Sequence, residues 1–286
     1  MLDFLARLRQ IDRRIVSTLT ILVLAIPLVV RIPLKMIALP SVVQLKETID
    51  QLPPEKVVVL AMDWDAATKG ECQPLTTAVM DYLMRRNLRF AIFSFIPQGA
   101  ELAQGIAEEL ALKHGKQYGV DWLNWGYRPN YVTTLIAMVN DIPGTMKTDI
   151  RKVPLPQYPL TRDIRRLKDA GLLYEVTGTG LLDIYLQFAA GVPLASGCTA
   201  VSGPEKYPYL QSGQIKGLLV GLGGAAQFET ISDFRGPEGE RGGDGLRGMG
   251  AQSMGHFLVM ALIILGNLGA WAQTRRERPQ PEGSAS

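Results

Sequence analysis

Histidine and cysteine are nearly absent. The 286-residue chain has two of each, His114 and His256, Cys72 and Cys198. Two cysteines exclude a disulfide-built scaffold and a four-thiolate zinc site. Two histidines far apart in sequence weigh against His-ligated zinc and against Ser-His or Cys-His catalysis. Charge is also thin: charged residues make up 20% and the formal net charge is +3. No basic stripe interleaved with aromatics occurs, so no nucleic-acid partner is expected.

Apolar residues are plentiful, at 47%, and two uncharged runs stand near the ends. Residues 15–30, IVSTLTILVLAIPLVV, lead into RIPLKMIALP. A spanning helix needs about 20 apolar residues, and Arg31 and Lys35 reaching towards headgroups extend the span over 15–39. No small-x-small cleavage site follows before Pro40, so the run reads as a retained anchor rather than a signal peptide. Residues 257–272, FLVMALIILGNLGAWA, give a second span over 254–273, with Trp271 at an interfacial position. Arg7, Arg9, Arg13 and Arg14 precede the first run; Arg275, Arg276 and Arg278 follow the second. The positive-inside rule then places both tails, 1–14 and 274–286, in the cytoplasm of a bacterial cell, and the domain between on the outer face of the inner membrane. Leu2, Leu5, Leu8 and Ile11 repeat at near-helical spacing and suit an amphipathic tail on the lipid surface.

Between the runs, short β-branched stretches alternate with longer amphipathic ones. Strands are predicted over 56–63 (KVVVLAMD), 88–96, 120–126, 172–178 and 193–201. Helices are predicted over 72–87, 98–115, 130–141, 161–171 with Thr161 as its cap, 180–191, and from Ser202 onwards. Near-continuous apolar strands separated by helices specify a sheet covered on both faces. The fold class is therefore α/β: residues 40–232 form a doubly wound, mostly parallel five-stranded sheet, Rossmann-like or flavodoxin-like, flanked by two transmembrane helices. Glycines at 236, 239, 242, 245 and 248 keep a three-residue period. These triplets are too few for a collagen helix, so 233–253 reads as a flexible tether.

The stretch GLLVGLGGAAQFE, 217–229, fits a dinucleotide fingerprint at Gly221, Gly223 and Ala226. That fingerprint also needs a later strand ending in an acid, and the chain has no room for one. A helix over 214–232 fits better. It would align Gly217, Gly221 and Ala225 as a small-residue contact stripe, facing the protein's own sheet, the bilayer surface or a partner subunit.

In a doubly wound sheet, ligands sit beyond the carboxyl ends of the strands. The first strand delivers Asp63 and Asp65, the second Ser94, the third Asn124, Tyr127 and Arg128, the fourth the turn Thr177-Gly178-Thr179-Gly180, the fifth Ser196 and Cys198. The pattern of an apolar strand ending in DxD, with a hydroxyl residue ending the next strand, resembles the haloacid-dehalogenase phosphatases. The resemblance covers about 40 residues and implies Asp63 as nucleophile, Asp65 as general acid/base, Ser94 as phosphoryl ligand, and magnesium. The chain departs from that family at Ala67, where a hydroxyl residue is expected. The plainer reading has one aspartate capping a helix and the other pairing with Lys69 or Arg128. The threonine-glycine turn offers backbone N–H groups to an anion, or simply turns the chain. Cys72 opens a helix, a position that lowers a thiol's pKa; burial as a small residue is the simpler role.

The sequence points first to a two-pass binding or scaffolding subunit of a membrane complex, without catalysis or cofactor. Its partners are membrane lipid and another protein or a second copy of itself, reached through 214–232 or the membrane helices. A magnesium-dependent hydrolase using Asp63 and Asp65 is the alternative, and an anion sensor using Thr177–Gly180 the next.

Overall fold

The computed structural model describes residues 12–30, 36–189, 191–237 and 239–277. The chain divides into two compact units, Lys35–Leu246, and Met1–Leu34 with Arg247–Ser286.

In the first of these, β1 (Val57–Asp63) is buried at every residue. Its side chains alternate between two separate cores: Val57, Val59 and Ala61 enter one, Val58, Leu60 and Met62 the other. A strand buried on both faces carries no polar alternation, which is why VVVLAM reads as a continuous apolar run. The remaining strands are β2 (Arg89–Ser94), β3 (Trp122–Tyr127), β4 (Leu172–Thr177), β5 (Leu194–Cys198) and β6 (Leu218–Val220). All neighbours pair in parallel, in the order β3-β2-β1-β4-β5-β6. This is the Rossmann arrangement, whose topological switch point lies between β1 and β4.

The helices of this unit are α2 (Pro40–Asp50), α3 (Lys69–Arg85), α4 (Pro97–His114), α5 (Tyr131–Asn140), α6 (Ile142–Met146), α7 (Pro159–Asp163), α8 (Leu182–Phe188), α9 (Gly203–Gln211) and α10 (Gly221–Ile231). Residues of α2, α3, α4 and α10 share one core; those of α5, α6, α7 and α8 fill the other, with α9 packed against it. Between α3 and α4, the buried Asp81 accepts from Arg85 Nε at 2.7 Å, Lys113 Nζ at 2.9 Å and lies 2.8 Å from His114 Nε2. Those three partners outweigh burial and hold its carboxyl below the usual carboxylate range.

Three expectations are corrected. The sheet has six strands, not five, because β6 lies inside the helix predicted over 214–232. That stretch splits where Gly221 adopts φ +55°, a conformation glycine takes without steric penalty and one that ends the strand and starts α10. Gly217, Gly221 and Ala225 consequently share no helical stripe. All three are buried, and a Cβ at Gly217 would stand 2.5 Å from Leu45 Cβ. They face their own domain. The helix predicted over 161–171 is reduced to α7 and a 3-10 turn at Leu167–Asp169, with Ile164 extended between them.

In the other unit, α1 (Arg13–Val29) spans 17 residues, has Pro27 within it and is capped by the Asp12 side chain accepting from Arg14 N at 2.8 Å. α11 (Asp244–Glu277) begins in the first unit and continues through the second. Among the described residues one helix, Asp244–Arg275, is long and apolar enough to cross a membrane. The prediction of two such spans is therefore corrected to one. The proposed extension of the first through Arg31 and Lys35 lies outside the described residues, as does the amphipathic pattern over 1–11. The tether predicted over 233–253 becomes helical from Asp244 onwards.

Candidate functional site

The switch point between β1 and β4 is where a ligand would be sought, and Asp63 stands at its edge. Asp63 is fully buried. Its Oδ1 accepts the Phe95 N–H at 2.6 Å and its Oδ2 accepts the Tyr185 hydroxyl at 2.5 Å. Ser94 Oγ lies 3.3 Å from Oδ1, but it is closer to the carbonyls of Met62 at 2.7 Å and Ile96 at 2.8 Å, and it accepts the Ile96 N–H at 2.9 Å. Burial pushes the Asp63 carboxyl up to about 6, against the hydrogen bonds from Tyr185, Phe95 and Ser94 that favour its charged form. The same burial, together with the neighbouring carboxylate, raises Tyr185 well above the ordinary tyrosine range.

Thus the structure does bring Asp63 and Ser94 together, as the sequence led one to expect. Their polar atoms are nevertheless spent on tying three chain segments to one another: the end of β1, the turn after β2, and α8.

Asp65 is set apart. Its Oδ1 accepts the Ala67 N–H at 3.0 Å and its backbone carbonyl accepts Thr68 N at 3.2 Å, a side-chain-supported turn. Neither aspartate takes the plainer roles either. Arg128 donates to the carbonyls of Tyr127 at 2.7 Å, Thr148 at 2.7 Å and Met146, and the N-cap of α3 is Thr68. Among the described residues no group of three or more His, Cys, Asp or Glu is placed to hold a metal ion.

The turn after β4 faces the same crevice. The Gly178 N–H donates to the Asp63 carbonyl at 3.3 Å, and the Thr179 N–H donates to Thr177 Oγ1 at 2.9 Å. Two of the donors that an anion would need are already engaged. A Cβ on Gly178 would lie 2.6 Å from the Thr68 side chain, so Thr68 and Gly178 close the gap between β1 and β4. Gly180 has open space around it.

The groups that the sequence did not single out lie deeper. Glu175 sits in β4, in register with Ser196 on β5, and both are fully buried. Neither Glu175 oxygen has a hydrogen-bond partner; Ser196 is near enough to favour the charged carboxylate but not in bonding geometry. Burial pushes Glu175 up to about 8, with the nearby charge of Lys206 opposing. Lys206 itself is buried on α9. One signal was available: Glu175 is the single acid inside an apolar strand, LLYEVT. Tyr185 offered a weaker one, as the aromatic with a polar end on the inner face of its helix. Cys72 and Cys198 are both free and buried, and burial pushes both thiols up to about 12. The helix-start effect on Cys72 is overridden.

At the opposite, amino-terminal edge of the sheet an open hollow of about 560 Å³ is lined by Asn140, Asp141, Arg162, Asp163, Arg165 and neighbours. Its charges are mixed, and Asp163 is already paired with Arg89.

No family model, curated protein or solved structure matches this chain. The Rossmann order is thus a statement about topology alone, and a fold does not carry a function with it.

Proposed function

We propose that this chain is a membrane-anchored α/β domain that works by binding rather than catalysis, as a binding or scaffolding subunit of a bacterial membrane complex. One observation carries the reading. The acid at the switch point, Asp63, has both carboxylate oxygens engaged by the protein's own Phe95 N–H and Tyr185 hydroxyl. A nucleophile needs a free oxygen facing substrate, and this one faces a buried tyrosine.

The anchor is α11. Phe257, Val259, Met260, Ile263 and Ile264 on it are exposed, a surface that lipid or another apolar helix would cover. The arginines after it favour a cytoplasmic C-terminus and an extracytoplasmic α/β domain. Association with a protein partner or a second copy is assigned to the apolar surface of α11, since Gly217, Gly221 and Ala225 are buried in their own domain.

Extraction of native membranes in mild detergent, followed by sizing, tests the proposal. The expected result is the chain within an assembly larger than one copy in its micelle. Recovery as a lone chain that hydrolyses a generic phosphoester with magnesium, and loses this with Asp63→Asn, would establish the hydrolase instead.

A further inference from the structure

Glu229 in α10 is 2% exposed, and its carboxylate is directed at the start of another helix. Oε2 accepts the N–H groups of Gly243 and Leu246, each at 2.9 Å, and Oε1 accepts that of Gly245 at 2.9 Å. Gly245 and Leu246 lie in the first turn of α11, whose N–H groups have no partner within the helix, and Gly243 immediately precedes it. Helix starts are ordinarily capped by the residue just before them. Here the cap comes from 14 to 17 residues upstream.

The surrounding chain is shaped to this contact. A Cβ on Gly243 would lie 2.8 Å from Glu229 Oε1 and 2.9 Å from the Phe234 ring. On Gly245 it would lie 2.8 Å from both Ala225 Cβ and the Ala226 nitrogen. The segment between folds back on itself, with Gly236 N donating to Glu240 O at 2.8 Å and Gly242 N to Phe234 O at 3.0 Å. The glycines at 243 and 245 therefore permit close approach. Burying a carboxylate is costly unless it is hydrogen-bonded. Three charge-assisted bonds from a helix N-terminus, whose dipole favours a negative group, offset that cost.

We propose that Glu229 is a clasp that holds the first turn of α11 against α10, so that this side chain determines where the long helix begins.

Hydrogen exchange on the full-length protein in detergent micelles tests it. In Glu229→Ala, the amides of Gly243, Gly245 and Leu246 are expected to exchange at least tenfold faster than in the parent protein, while those of β1 keep their protection. Glu229→Asp, one methylene shorter, should give a smaller acceleration at the same amides. Unchanged exchange at 243–246 in a folded Glu229→Ala protein overturns the proposal. Should that variant fail to fold, Glu229→Gln decides, because it keeps the length and shape of the side chain but replaces one of the two acceptor oxygens with a donor. Local acceleration there supports the clasp, and parent-like exchange rejects it.

Discussion

The Tyr185 hydroxyl stands 2.5 Å from Asp63 Oδ2, joining a residue of α8 to one at the end of β1 across 122 positions of sequence. The bond joins the two sides of the crevice that in other doubly wound sheets admits a ligand. Tyr185→Phe removes the donor and leaves Asp63 Oδ2 buried without a partner. A buried acceptor left unsatisfied costs about 1–3 kcal/mol, and denaturant unfolding should show a loss of that size. In the double variant with Asp63→Asn the losses should fall short of additive, because the residues share one interaction. Full additivity would mean that the contact contributes nothing.

Stability should fall as pH rises across the neutral range. Glu175 has its pKa raised from 4.5 in the open chain to about 8 in the folded protein, so the folded state binds the proton more tightly. The resulting stabilisation is complete below pH 4.5 and is lost progressively as pH climbs through 8. Asp63 and Glu229, both raised to about 6, act in the same direction over a lower window. Each tenfold gain in proton affinity on folding corresponds to about 1.4 kcal/mol. Glu175→Gln should flatten the decline between pH 6 and 8 in urea titrations; a slope equal to the parent's would refute the assignment.

Thr68 and Gly178 make a steric test. Gly178→Ala places a methyl 2.6 Å from the Thr68 side chain, and overpacking of this kind costs about 1–3 kcal/mol. The melting temperature should drop, and Thr68→Ala in the same chain should restore part of it. Were an anion to bind this turn in the parent protein, phosphate would raise the parent's melting temperature; no shift is expected.

The two thiols should be inert. With pKa values pushed up to about 12 and no exposure, Cys72 and Cys198 should react with an aromatic disulfide reagent at pH 8 only after denaturation. Rapid labelling of either in the folded protein would contradict their burial.

Much of this fold was legible in the order of residues. VVVLAM, RFAIFS and LLYEVT announce strands buried on both faces, and Gly115 closes α4 in a left-handed cap with φ +63°. These signals are local, because hydrophobic periodicity and turn chemistry act within a few positions. The short strand Leu218–Val220 was not legible. Three residues followed by glycines cannot be told from a helix start, and only pairing with β5 makes them a strand. The sequence likewise placed Asp63 and Ser94 at neighbouring strand ends, but not the direction of the carboxylate.

Chain order by itself determined a covered parallel sheet, an apolar C-terminal helix and the set of polar groups near the strand ends. Tertiary structure decided which of those groups remain free. Tyr185, Thr68 and Glu229 meet their partners 122, 110 and 14 to 17 positions away. Contacts at such separations depend on how the elements pack, because no local propensity encodes the distance between two side chains brought together by a sheet.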